Sequence, residues 1–503
     1  MSSTPRNGNG VLETATVSSS GDHGKTDTVD EPIDHALERR AVLKLDLTIL
    51  PMMSLFYFLS FLDRANIGNA RIAGLQTDLH LTDHRYQICV AILYVPYMLS
   101  ELPSNLLLRK IGPHLLLPAV VTAWGIVVTF QGFVKSFSGL IVVRLILGAL
   151  EGPMFPGMVL YLSGFYTRKE LSLRIAFFFS TASLAGAFSG LLAAGLSNLH
   201  GAGNLPGWSW IFIIEGIFTV VIGVAGFFLV PRTPRQSRFL TDAEKDAILR
   251  LLERSKPLDV HVDKFSVKQI IQSIISPHVI FVFIIFFTSG SIVLGLSNFL
   301  PSIVRQLGFT PTKSQLLTVG PLGAAFFLTL ISAYYSDKYN TRGIPLVICS
   351  IITSIGYIMY LSSRNKYILY GSLFFTVSGS YPMGPLGAGW AANNSEPHYR
   401  RATSIGLGFV ASSCGAILST WRFPTKEGPR FTKTTITTLV FALATGLVAI
   451  INMIYLNRQN QLKIKRREEL LAPYADDNEK AGYDQKKAWI ELGDRHPDFK
   501  YIL

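Results

Sequence analysis

The sequence predicts an all-α membrane protein: twelve transmembrane helices in two six-helix bundles. Three observations predict it. Of 503 residues, 49% are hydrophobic and only 16% charged, with a mean hydropathy of +0.35. A soluble surface needs about a quarter of its residues charged. The apolar residues come in twelve long runs, each near the roughly 20 residues that a helix needs to cross a bilayer. The runs fall six and six around one polar stretch, 231–276. They are too long for barrel strands and lack strict alternation, so helices are the only spanning structure left. A net charge of +13 does not argue for nucleic acid here. The basic residues cluster at the ends of apolar runs, where membrane proteins keep their cytoplasmic Lys and Arg.

Residues 1–38 are rich in Ser, Thr, Gly, Asp and Glu without an apolar period, and read as a disordered cytoplasmic tail. No apolar region near Met1 suggests a cleavable signal. His35 to Lys44 is an amphipathic approach to the first run. The expected spans are 46–67, 86–108, 115–134, 139–163, 174–198 and 209–230 in an N-terminal bundle (39–230). The C-terminal bundle (277–456) holds 278–300, 314–335, 344–362, 367–391, 403–421 and 434–456. The eleventh, rich in Gly and Ser, is the poorest. Prolines recur inside the runs, among them Pro51, Pro96, Pro103, Pro153, Pro156, Pro321, Pro382 and Pro385, which packed membrane helices tolerate. The linker 231–276 carries nine Lys or Arg and six Asp or Glu. Within it Thr241 and Glu244 fit a capping box, and Ile248, Leu251 and Leu252 follow at helical spacing, which predicts a short surface helix. The tail 457–503 opens with the basic run Lys463 to Arg467, expected against the inner leaflet. Lys and Arg are richest in the tails, the linker and the loops on the same side, which places both termini in the cytoplasm. Cys89, Cys349 and Cys414 all lie in apolar runs, so no disulfide framework is expected.

An ionised side chain at the centre of a membrane helix costs at least ~2.5–3.5 kcal/mol on insertion scales, so such residues are candidates for function. They are Asp63 and Arg64 in the first span, Glu101 in the second, Arg144 and Glu151 in the fourth, and Glu215 in the sixth. Arg144 and Glu151 are two turns apart, about 10 Å along one helix face, and so line one side of a cavity without pairing with each other. Asp63 and Arg64 point about 100° apart, so one is free to meet a partner helix while the other faces a cavity. The ion pair expected in at least one conformation is Asp63 with Arg144, and Glu151 is the alternative partner for that arginine. Glu215, close behind Trp208 and Trp210, reads as packing or interface anchoring. Gly186 and Gly190 form a Gly-x-x-x-Gly pair suited to close helix packing.

These charges sit in recognisable stretches. Phe61-Leu62-Asp63-Arg64-Ala65-Asn66-Ile67-Gly68-Asn69-Ala70, Pro103-Ser104-Asn105-Leu106, Arg144 to Gly148 continuing through Glu151-Gly152-Pro153-Met154-Phe155-Pro156-Gly157, Trp208 to Gly216, and Trp390-Ala391-Ala392-Asn393-Asn394 with Arg400-Arg401-Ala402 follow one another on successive spans. Together they resemble the anion:cation symporter family of the major facilitator superfamily, in its fungal branch of allantoate, nicotinate and pantothenate permeases, over roughly residues 40–460. The resemblance implies an alternating-access fold and proton-driven uptake of a small organic anion. It implies that Asp63 and Glu151 carry the coupling protons, that Arg64 and Arg144 handle the substrate carboxylate and the ion pairs, and that Tyr57, Trp390 and Asn393 line the cavity. Asp337-Lys338 with Arg342-Gly343 matches the superfamily's gating loop; the equivalent loop after the second span has Asn105 where an Asp is usual, before Arg109, Lys110 and Gly112. Pro231-Arg232-Thr233-Pro234 has Arg where an acidic residue often follows the proline, and the eleventh span offers no matching motif.

The chemistry agrees with the residues. A carboxylate in a membrane cavity needs a fixed cation with a planar fork of donors, which is arginine. Coupling needs a carboxyl that a neighbouring Arg holds ionised until substrate occupies that Arg. No enzyme is expected, because no nucleophile–base set or phosphate loop occurs. No cofactor or metal is expected either: His80 and His84 alone have a suitable spacing and lack a third ligand. The expected partners are a small organic anion, protons and the bilayer, with the chain a plasma-membrane monomer. An anion exporter or exchanger on the same fold, or a nutrient sensor, are the rival readings.

Overall fold

The computed structural model describes residues 34–255, 267–396, 398–423, 427–428, 430–474 and 485–503. The tail expected to be disordered therefore lies almost wholly outside the described residues, as do the middle of the linker and the Asn105 and Arg109 side chains. The spans are α1 (His35–Ala70), α2 (Asp83–Ala91 with Tyr94–Ile111), α3 (Pro113–Gln131), α4 (Phe137–Glu151 with Met154–Ser163), α5 (Arg168–Leu196) and α6 (Gly207–Leu229). The second half has α7 (Pro277–Gln306), α8 (Pro311–Lys338), α9 (Gly343–Ser362), α10 (Lys366–Ser380 with Met383–Asn393), α11 (His398–Thr420) and α12 (Thr432–Lys465). Among the described residues ten of these, α4 with its two halves taken together, are long and apolar enough to cross a bilayer; α2 and α10 are not among the ten. The eleventh, poorest in the sequence, is one unbroken helix.

The breaks have a common cause. A proline inside a helix removes one hydrogen bond and crowds the carbonyl four residues back. Pro96, Pro156 and Pro385 stand four residues after Ile92, Gly152 and Tyr381, the points where α2, α4 and α10 are interrupted. Pro51, Pro118, Pro301 and Pro321 stay within continuous helices. Side-chain caps start several spans: Ser136 accepts from Gly139 N, Thr310 from Lys313 N and Asn365 from Tyr367 N. Gly112, at φ +91°, turns the chain from α2 into α3, a conformation costly for a residue with a Cβ.

The helices are dressed for lipid outside and small residues inside. Exposed side chains cluster as apolar runs, Val224, Phe227, Phe228 and Leu229 on α6 and Leu447, Ile450, Ile451 and Ile454 on α12, contiguous exposure that suits hydrocarbon as the solvent. Within the first half, α3 and α6 approach so closely that a Cβ on Gly125 would meet Val220 N and one on Gly216 would meet Thr129. Between the halves, α1 meets α7 where Gly68 abuts the Asn298 carbonyl, and Asn298 Nδ2 donates to the Tyr94 hydroxyl at 3.1 Å. The Gly186 and Gly190 pair packs α5 against Leu322, Gln315 and Thr318 of α8, as the small-residue spacing predicts. These contacts close the halves together on the face away from the linker.

On the linker face the polar segments are docked. The expected surface helix is Asp242–Ser255, with the Thr241–Glu244 capping box formed and Ile248 buried. Lys44 Nζ reaches Glu244 Oε1 at 2.7 Å and Arg254 reaches Glu38 at 2.7 Å, so this helix braces the linker-side end of α1. The C-terminal segment is bound too. Asn394 receives Ile502 N at 2.8 Å and donates to Ile502 O at 2.9 Å, and Asn460 pairs likewise with Tyr501. Lys463, expected at the lipid surface, instead turns inward: it donates to the Asp494 and Phe499 carbonyls and sits 3.6 Å from the Tyr501 ring centroid. Backbone acceptors and an aromatic face replace water there more completely than lipid headgroups do.

Candidate functional site

A cavity lies between the two halves at mid-depth. Its wall is largely aromatic: Tyr57 and Phe61 of α1, Tyr94 and Tyr97 of α2, Phe155 of α4, Phe179 of α5, Phe286 of α7, Tyr381 at the break of α10 and Phe409 of α11. Polar groups are few, namely Ser60, Ser289, Ser412, Ser413 and the Arg64 guanidinium. Among the described residues Arg64 is the only Lys, Arg, Asp or Glu on that wall. Its guanidinium lies 4.8 Å from the Tyr97 ring centroid and 5.2 Å from that of Phe61, so ring faces fix its plane.

Arg64 is held by Glu151. Nη2 lies 2.6 Å and Nε 2.8 Å from Glu151 Oε2, and Ser60 Oγ adds a longer bond at 3.4 Å. The Glu151 side chain is fully buried, and its Oε1 has no partner. Two donors of one guanidinium thus converge on one buried oxygen, the strong charge-assisted form of hydrogen bond.

The expected Asp63–Arg144 ion pair is not formed. Asp63 and Arg64 do diverge as neighbouring helix positions must, but Asp63 points away from the cavity into the first bundle. There its Oδ2 accepts a hydrogen bond from Trp124 Nε1 of α3. Arg144 is 2% exposed, and its Nε and Nη2 lack partners. It stands within electrostatic reach of Asp63 and Glu151 and beside Tyr86 and Cys89, without a salt bridge. In this conformation a Trp on α3, sixty-one residues on in sequence, satisfies Asp63 in place of Arg144. Glu215, expected to pack or to anchor at an interface, is packed: it is 4% exposed inside the bundle and faces Asp63. Trp208 and Trp210 do the tethering, to Asp78 Oδ2 at 2.8 Å and the Ala202 carbonyl at 3.2 Å.

The second half departs more from expectation. Tyr57 lines the cavity; Trp390 and Asn393 do not. Trp390 is fully buried and donates Nε1 to the Ile502 carbonyl at 2.9 Å. The break in α10 turns its second half so that the indole meets the C-terminal segment. Asn393 lines a second cavity nearer the linker face, with Val159, Ile175, Arg342 and Arg401. Phe155 and Pro385 line both cavities, and the Phe155 and Phe409 rings meet across the halves at 4.1 Å, forming an apolar floor between them. In the loop between α8 and α9, Arg342 pairs with Asp337, and Arg342 N donates to the Leu503 carbonyl at 2.6 Å. Sequence reasoning missed Tyr94, Tyr97, Tyr381 and Phe409; aromatics abound in every span, and no periodicity marks those that face the cavity.

Comparison with known proteins agrees with this architecture. Residues 53–420 match the family model described as Major Facilitator Superfamily. The high-affinity nicotinic acid transporter of Saccharomyces cerevisiae is 31% identical over 483 residues, covering 95% of this chain and 88% of that protein. The major facilitator-type transporter hxnP of Emericella nidulans is 30% identical, covering 95% and 97%. Among solved structures, the xylose transporter XylE from E. coli superposes with a TM-score of 0.62 at 12% identity, covering 82% of this chain and 97% of that one; at that identity the likeness speaks for the fold alone. Twelve spans in two halves around a mid-depth cavity, the family match over most of the chain and fungal transporter relatives lead to one conclusion: the chain is a multi-pass membrane transporter, not an enzyme, and belongs to the Major Facilitator Superfamily.

Proposed function

We propose that the chain is a proton-coupled symporter that imports a small organic anion, a carboxylate vitamin or nitrogen source of the nicotinate, allantoate or pantothenate kind, by alternating access. The observation that carries this reading is the Arg64–Glu151 pair, with Arg64 on the cavity wall and Glu151 buried behind it. An anion entering the cavity meets a single cation, already clamped by a carboxylate. To bind, the anion displaces Glu151 from the guanidinium fork. A carboxylate left in a dry wall without its cation takes up a proton. Anion and proton therefore bind together, and each favours the other by the same factor. The aromatic wall favours a ring-bearing carboxylate, because rings stack face or edge on Tyr and Phe, and the nicotinic acid transporter relative supports that choice.

In this reading Arg64 recognises the carboxylate, Tyr57 packs on the ring, and Asp63 and Glu151 handle protons. Arg144 supplies the positive field that keeps both acids titratable. Asp337 and Arg342 gate the linker face, and Asn393 lines the exit path. Both termini and the linker lie in the cytoplasm, the protein sits in the plasma membrane, and it works as a monomer. The test is uptake of radiolabelled nicotinate, allantoate and pantothenate in yeast cells lacking their own permeases. Uptake of nicotinate that rises as external pH falls and collapses with a protonophore is expected. Accumulation indifferent to pH and protonophore would overturn the symport reading; efflux or strict exchange without net uptake would favour the exporter.

A further inference from the structure

We propose that Asp63 and Glu215 form a carboxyl pair that shares one resident proton behind the cavity wall, which makes Glu215 a positioning residue of the proton-handling site. This deepens the proton-coupled reading and rests on it for its functional meaning. The two side chains come from α1 and α6, are 3% and 4% exposed, and lie within hydrogen-bonding reach of each other. Glu215 Oε1 and Oε2 and Asp63 Oδ1 are all buried without a donor. Trp124 Nε1, on α3, serves the remaining oxygen, Asp63 Oδ2. The charged groups facing the pair are Arg144 and Glu151, both on α4. Neither settles it: Glu151 is held by Arg64, and Arg144 makes no salt bridge among the described residues.

Two ionised carboxylates cannot stay in contact in such a place, since they repel and ionised oxygens only accept hydrogen bonds. One proton removes both difficulties. It turns one carboxyl into a donor to the other and leaves a single negative charge on the pair. The charges then balance. The core holds three carboxyls, Asp63, Glu151 and Glu215, and two guanidiniums, Arg64 and Arg144. With one proton on the pair the cluster is neutral, the state a low-dielectric interior favours. A monocarboxylate arriving at Arg64 restores an excess negative charge, and Glu151 offsets it by taking one proton. The resident proton stays with the bundle while the Glu151 proton travels, which predicts one proton carried per anion.

The test reads the proton directly and needs no substrate. The full-length protein in lipid nanodiscs is examined by infrared spectroscopy at neutral pH, for the carbonyl stretch of a protonated carboxyl group and its shift in deuterated water. A Glu101→Gln background removes the other buried acid that lacks a cation partner. The expected result is a protonated-carboxyl band in Glu101→Gln that disappears on adding either Glu215→Gln or Asp63→Asn, each of which leaves one ionised carboxylate accepting from an amide. Asp63→Asn is the second route should Glu215→Gln fold poorly. A background protein without the band, or a band that survives both substitutions, overturns the pair. Failure of nicotinate uptake would leave this result untouched, so the two readings fail separately.

Discussion

Neutralising one member of the Arg64–Glu151 pair should cost more than neutralising both. The Arg64 and Glu151 side chains are 9% and 0% exposed, with nitrogens 2.6 and 2.8 Å from one carboxylate oxygen. Removing one partner of a buried pair leaves an uncompensated charge, at about 3–5 kcal/mol. Arg64→Gln strands a carboxylate against the aromatic wall, and Glu151→Gln strands a guanidinium there. The double substitution leaves two neutral amides that still hydrogen-bond. A double-mutant cycle should therefore return a coupling of about 2–3 kcal/mol, or roughly 30- to 150-fold in the folded-to-unfolded ratio. The assay is equilibrium unfolding of the purified protein in mixed micelles, followed by tryptophan fluorescence, with Asp63→Asn and Arg144→Gln as a parallel cycle. That second cycle should show the smaller coupling, because no hydrogen bond joins those two residues. Additivity within about 0.5 kcal/mol for Arg64 and Glu151, or the larger coupling in the Asp63–Arg144 cycle, would refute the assignment.

Arg64→Lys keeps the charge but not the fork; losing one charge-assisted hydrogen bond of about 1.5–3 kcal/mol should raise the KM for nicotinate roughly 10- to 150-fold at normal protein level, measured by uptake kinetics against a surface immunoblot. Glu151→Gln, fixed in the protonated form, should abolish concentrative uptake while counterflow exchange in the same vesicles persists. On the linker face, the hydrogen bond from Lys44 holds the Glu244 carboxyl down at about 2 from its ordinary 4.5. A depressed acid stabilises the folded state above its unfolded pKa and loses that contribution as pH falls through the folded one. Docking of Asp242–Ser255 should thus be firm above about pH 4.5 and loosen between that and about pH 2, read as hydrogen exchange of 242–255, and Glu244→Gln should remove that pH dependence.

Hydrophobic run lengths alone determined the class of this protein. Bilayer thickness and the need to satisfy every backbone group leave a run of some twenty apolar residues no other state than a spanning helix, so twelve spans, a polar linker and the capped surface helix at Thr241 were legible residue by residue. The costly charges Asp63, Arg64, Arg144, Glu151 and Glu215 were legible for the same reason, since membrane burial penalises them wherever they point. Their pairing was not. Asp63 and Arg64 are adjacent in the chain, yet one faces Trp124 and Glu215 inside the bundle and the other faces Glu151 and the cavity. Only the rotation of α1 against α3, α4 and α6 decides which. Prolines announced irregular helices, but the turn that gives Trp390 to the C-terminal segment instead of the cavity depends on what packs against α10. Spacing along one helix constrains which side chains share a face; the identity of the facing helix is a property of the assembled bundle, because the contacts of Arg64, Asp63 and Trp390 with Glu151, Trp124 and Ile502 join residues sixty or more positions apart in the chain.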